Sequence, residues 1–213
     1  MKFIKIVLIA VVVILLSAKL FALEKAPVEK NTHWGFRLGL NISNFDVEYD
    51  DKSNLYSPVF SIYGADDIFP FLYYQLEACI SKKGVQVIEK NDEDNVSLTY
   101  LELPVTLKYL IPLEGTISPY IYAGPAVALL FSASYGSTDI KDHVNKFDVS
   151  VVFGIGTGIS AGKGKFLLDL RFIKGFQNLE DIGTKDVPSH FPEIIGDEKI
   201  TNITYSFSVG YEF

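Results

Sequence analysis

The sequence is poor in the residues that would support several common protein classes. It has one cysteine, Cys79, in 213 residues. That excludes an intrachain disulfide, and its distance from the N-terminus excludes a lipid-modified leader cysteine. Three histidines, His33, His143 and His190, and that single thiol offer no Cys/His cluster for a transition metal. Positive charge is scarce too: 19 Lys and Arg stand against 26 Asp and Glu, for a net charge of -7, which removes the electrostatic case for nucleic acid. There is no helical periodicity of useful length beyond residue 22 and no Pro- or Ser-rich linker, so residues 23–213 read as one domain without a helical core.

What is present starts at the N-terminus. Lys2 and Lys5 precede an uninterrupted apolar run from Ile6 to Leu16, followed by small residues up to Ala22. A basic segment, an apolar segment and small residues are the layout of a signal peptide, cleaved after Ala22 or Ala18. The alternative is an anchoring helix, but the run is about half of the ~20 residues that cross a bilayer. Loss of residues 1–22 takes away Lys2, Lys5 and Lys19 and no acid, so the net charge of -7 becomes -10.

The rest of the chain is organised by a period of two. At the C-terminus Tyr205, Phe207, Val209, Tyr211 and Phe213 alternate with Ser206, Ser208, Gly210 and Glu212, the pattern of a strand with different surroundings on its two faces. Similar alternation predicts eight strands, at 34–45, 57–65, 71–81, 97–109, 119–131, 148–160, 165–174 and 202–213. Most reach the roughly 9–11 residues that a tilted strand needs to cross a bilayer. The intervening segments alternate as well: 46–56, 82–96, 132–147 and 175–201 are long, while 66–70, 110–118 and 161–164 are shorter. Long outer loops and short periplasmic turns are the habit of outer-membrane barrels. The expected fold is therefore all-β, an eight-stranded antiparallel up-and-down transmembrane barrel.

Residue size assigns the faces. One carries Phe36, Leu38, Leu40, Leu101, Leu103, Leu107, Phe166, Leu168, Leu170, Phe172, Tyr205 and Phe207; the other carries Gly35, Gly39, Gly124, Ala126, Gly154, Gly156, Gly158, Ser206, Ser208 and Gly210. An eight-stranded barrel has an interior just wide enough for side chains to fill, so the small residues suit the inner wall and the bulky ones the lipid. A soluble periplasmic lipid-binding barrel would place Lys and Glu on its outer face, and these strands do not. Six charged residues follow the inner parity: Arg37, Glu77, Glu102, Lys108, Asp169 and Arg171. Ions of both signs are costly in lipid but can pair in the lumen, which predicts one polar network that plugs the barrel. The alternative is a narrow channel. Aromatics near strand ends (Trp34, Phe36, Tyr109, Tyr120, Tyr122, Tyr211 and Phe213) are expected at the interfacial girdles.

These segments resemble the PorT-like outer-membrane β-barrel domains of Gram-negative bacteria. Gly35-Phe36-Arg37-Leu38-Gly39-Leu40-Asn41-Ile42-Ser43 is similar to that family's first strand. Tyr100-Leu101-Glu102-Leu103-Pro104-Val105 with Lys108-Tyr109 is similar to its fourth. Tyr122-Ala123-Gly124-Pro125, Asp169-Leu170-Arg171-Phe172 with Gly175, and Tyr211-Glu212-Phe213 resemble later strands. The likeness implies an outer-membrane location and supplies no catalytic residues. The closing strand, residues 205 to 213, is similar to those engaged by the barrel-assembly machinery. Outer-membrane lipid is the other expected partner.

Signals for chemistry are few. Ser132, Ser134 and Ser137 share a predicted loop with His143, a weak basis for a barrel lipid hydrolase, since a nucleophile needs a base within hydrogen-bond reach. Gly154-x-Gly156-x-Gly158 has no following helix and reads as close packing rather than a phosphate loop. Asp46, Glu48, Asp50 and Asp51, then Asp92, Glu93 and Asp94, and the acids between Glu180 and Glu198 make the long loops acidic without a known calcium-loop spacing. The expectation is a non-enzymatic barrel with no cofactor, no metal and no catalytic residues, acting in envelope structure or surface interaction.

Overall fold

The computed structural model describes residues 32–46, 52–89, 92–177 and 200–213. The predicted signal peptide, His190 and most of the last long connection lie outside the described residues. Among the described residues the strands are β1 (His33–Asp46), β2 (Lys52–Phe69), β3 (Leu72–Glu89), β4 (Asp92–Leu110), β5 (Ile117–Tyr135), β6 (Thr138–Asp139), β7 (Phe147–Ala161), β8 (Gly164–Gly175) and β9 (Thr201–Glu212). The two-residue β6 only folds back on the end of β5. The other eight pair antiparallel in chain order, and β1 pairs with β9 from Gly35↔Glu212 to Asp46↔Thr201, which closes the barrel. Closure leaves no sheet edge unpaired, the condition for strands in lipid.

Four strands are longer than the alternation predicts. β2 runs to Lys52 and Phe69 instead of 57–65, and β3 and β4 continue through the predicted 82–96 loop until only residues 90–91 separate them. The predicted 132–147 loop likewise begins as strand up to Tyr135, then carries β6 and a 3-10 turn at Lys141–His143. The reason is chemical. On β3 the outward apolar stripe of Leu76 and Ile80 gives way to Lys82 and Gln86 while Val85 turns inward, so the lipid-facing pattern inverts as the hydrogen-bond ladder continues. Among the described residues, loop sorting therefore holds strongly only for the third long connection.

Two irregularities mark where these extensions begin. The β2–β3 register shifts between Asn54 and Val59, and the β4–β5 register shifts at Thr99/Tyr100. Gly84, with φ of 146°, lies beside the first; a Cβ there would sit 1.8 Å from the Val96 carbonyl oxygen, so only glycine fits. Ser43 Oγ accepts the Gly84 N–H at 3.0 Å, which ties the irregularity to β1.

The bulky face of every barrel strand points outward. Phe36, Leu38 and Leu40 on β1, Leu101, Leu103 and Leu107 on β4, Leu168 and Leu170 on β8, and Tyr205 and Phe207 on β9 are all exposed. The interior is not uniformly polar, however. Phe45, Val85, Val96, Leu98, Leu130, Ile140, Val144 and Ile200 form a buried apolar cluster where the long connections emerge.

Candidate functional site

The lumen holds the chain's buried charge. All six ionic residues expected there are buried; five are linked through Tyr63, Tyr120 and Tyr122, and Glu102 stands apart with a partner of its own. At mid-barrel Glu77, on β3, accepts both guanidinium nitrogens of Arg171, on β8, at 3.0 and 2.9 Å. Arg37, on β1, donates to the same carboxylate at 3.0 Å. A bidentate Arg–carboxylate pair reaching across the lumen is strong and geometrically specific. Arg171 Nε also donates to Tyr122 Oη at 2.9 Å; Tyr122 and Tyr120 in turn donate to the two oxygens of Asp169, at 2.7 and 3.0 Å. Each carboxylate here thus has several donors, the condition under which a buried ion is tolerated.

The other two ions have partners that the sequence reading missed. Lys108 pairs with Glu212 at 3.2 Å, and Glu212 also accepts from Tyr63 at 2.9 Å and lies 3.8 Å from Lys165. This cluster belongs to the short-turn end and fastens the closing strand β9 to β4, β2 and β8. Glu102 pairs with Lys83 at 2.8 Å, nearer the long-loop end. Both missed residues obey parity: Lys83 is in phase with Glu77 and Ser81, and Glu212 with Ser206 and Ser208. Lys83 was hidden by the predicted loop, and Glu212 by its place beside the terminal aromatic.

Tyr120 and Tyr122 require a further correction. The sequence reading places them on the interfacial girdle, whereas both point inward, with Tyr122 only 4% exposed; Tyr109 faces out at 42%. Their rings lie over glycines on the neighbouring strand. Tyr122 is registered with Gly154 and Tyr120 with Gly156, and a Cβ on these glycines would lie 2.1 and 2.5 Å from the respective ring Cζ atoms. Gly35 and Tyr63 repeat the arrangement between β1 and β2, at 2.5 Å. The guanidinium of Arg37 then stacks on Tyr63, 4.2 Å from its centroid. Inner-wall glycines therefore seat the tyrosines that hold the ions. Gly154→Ala should push Tyr122 off Asp169 and Arg171 and lower stability by about 1–3 kcal/mol, as overpacking commonly does. Unfolding of the heat-modifiable barrel band checks this; an unchanged midpoint would mean that the ring shifts freely.

On the outer wall, Phe36, Tyr211 and Phe213 make ring contacts at the short-turn end, and the Phe213 N–H donates to the Trp34 carbonyl at 2.8 Å. Cys79 is a buried free thiol. His33 sits at the rim in edge contact with Tyr73, and His143 lies in the 3-10 turn. Among the described residues no group of three or more His, Cys, Asp or Glu is placed to hold a metal ion.

Comparison with known proteins agrees with this geometry. The family model described as outer membrane protein beta-barrel domain matches residues 21–181. Neisserial surface protein A is similar in structure, with a TM-score of 0.56 at 7% identity over 87% of this chain and 98% of that one. OprG, an outer membrane protein from Pseudomonas aeruginosa, has a TM-score of 0.51 at 12% identity, over 86% of this chain and 97% of that one. At these identities the likeness is one of fold. No curated protein matches the chain by sequence.

Proposed function

Since the chain belongs to the outer membrane protein beta-barrel domain family and is a barrel of the bacterial outer membrane, we propose that it is a closed, non-enzymatic member that serves envelope structure or surface interaction. The observation that carries this reading is the filled lumen. Glu77 is clamped between guanidinium groups from β1 and β8, and Leu98 and Leu130 join Ile140 of the third long connection in an apolar layer at the long-loop end. An ion crossing would have to break a bidentate pair and then shed its water in an apolar layer, and both steps are costly.

The narrower placement among PorT-like barrels belongs to this proposal and rests on the Glu102-x-Pro104 strand and its companions. So do the cleaved leader over residues 1–22 and the outward orientation of the long connections. Two partners follow: outer-membrane lipid along the exposed stripe, and the barrel-assembly machinery through Tyr205, Phe207, Val209, Tyr211 and Phe213.

Planar bilayers containing the purified protein should show no steady conductance. A reproducible wild-type current whose ion selectivity changes in Arg171→Gln would overturn the closed-barrel reading in favour of a small channel.

A further inference from the structure

The ion pairs of the lumen leave one acid over. Glu77 is matched by Arg37 and Arg171, Glu212 by Lys108, and Glu102 by Lys83; Asp169 has two tyrosine hydroxyls and Arg171 Nε at 4.0 Å. Among the described residues, none of the ion pairs takes in Asp148, on β7. Its Oδ2 accepts from Asn202 Nδ2 at 3.3 Å, the Gln177 backbone is directed at the carboxyl, and Lys83 acts on it only at longer range. Among the described residues, Asp148 Oδ1 and Asn202 Oδ1 have no hydrogen-bond partner, and the Tyr100 hydroxyl has only the Asn202 side chain beside it. All three residues are 1% exposed.

These oxygens belong to one layer. Tyr100 is turned toward Asn202 and lies within electrostatic reach of Asp148 and Glu102. Register places Glu102 beside Ala128, and Ala128 beside Asp148. On the other flank stands Gly175, where even a Cβ would lie 3.0 Å from Asp148 Oδ2. Asp148 is thus flanked by positions with almost no side chain, and its neighbours in the layer are the Asn202 amide and, beyond it, the Tyr100 phenol. The apolar cluster covers the layer toward the long connections, and the Arg37–Glu77–Arg171 cluster lies across the lumen below it.

We propose that Asp148, Asn202 and Tyr100 hold a small monovalent cation of sodium type inside the barrel. Carboxylate, amide and phenol oxygens are the donors that hard cations prefer. Charge sets the valence: Lys83 already compensates Glu102, so one more positive charge neutralises the layer, whereas a divalent ion would leave an excess in a medium where unpaired charge is expensive. The site presupposes the closed lumen, which conductance tests separately; a non-conducting barrel without the cation would sink this inference alone.

The protein is folded from urea into detergent micelles in sodium chloride or in N-methylglucammonium chloride at equal ionic strength, so that the ion is present or absent as the lumen closes. The unfolding midpoint should be higher in sodium by about 5 °C, the scale expected when a ligand binds only the folded state. Asp148→Asn should give the same midpoint in both salts. Equilibrium dialysis with radioactive sodium should find about one ion retained per wild-type barrel. Equal wild-type midpoints in the two salts would overturn the proposal, as would sodium dependence that survives in Asp148→Asn. Equal midpoints that fall as pH rises would identify a proton as the counterion and overturn it as well. Should Asp148→Asn fail to fold, dialysis of the wild type decides, and no retained sodium ends the proposal.

Discussion

Replacing Glu77 by alanine should lower the stability of the folded barrel by about 3–5 kcal/mol, the usual result of removing one member of a buried ion cluster. Glu77 is the only acid bonded to both Arg37 and Arg171 among the described contacts. Without it two buried guanidinium groups face each other, with Asp169 as the nearest acid, 4.0 Å from Arg171 Nε. Most of the cost is the charge left behind rather than the hydrogen bonds lost. It follows that Glu77→Gln combined with Arg171→Gln should be less destabilising than Glu77→Ala alone. Urea unfolding of the protein in liposomes, followed by gel mobility, measures both. A loss below about 1 kcal/mol for Glu77→Ala would match a solvated surface pair and would show that water reaches the cluster.

The second large effect belongs to the outer wall. Leu168 lies on β8 between registered partners Thr157 and Val209, within the exposed stripe that includes Phe166 and Leu170. Leu168→Arg should cost about 2–4 kcal/mol at bilayer mid-depth, because a guanidinium group there must be drawn out of water. Leu168→Ala should cost much less, since lipid fills the space and no internal cavity forms. The contrast between the two variants is the diagnostic. If arginine and alanine were equally tolerated in liposomes, this stripe would not face hydrocarbon.

Much of this architecture was legible because a strand has a period of two and a membrane barrel has two incompatible solvents. Phe36-Leu38-Leu40 against Gly35-Arg37-Gly39 is enough to assign faces, since an arginine and a leucine stripe cannot exchange sides without placing a charge in lipid. The same parity places Glu77, Asp169 and Arg171 on the inner wall before any contact is known. Beyond Ile80 the pattern inverts, with Lys82 and Gln86 outward and Val85, Val96 and Leu98 inward, so the lipid-facing signal ends before the strands do and Lys83 falls outside it.

Sequence alone determined the strand class, the two faces and the inward parity of the charges, because these depend only on residue size, polarity and spacing. Which charge meets which was decided by the tertiary structure. Glu77 and Arg171 are brought together by closing eight strands in one register, and no local pattern encodes that distance across the lumen. The seating of Tyr122 on Gly154 depends on register in the same way. So does the lack of an ion-pair partner at Asp148, visible only beside the paired Glu77, Glu102, Asp169 and Glu212 among the described residues.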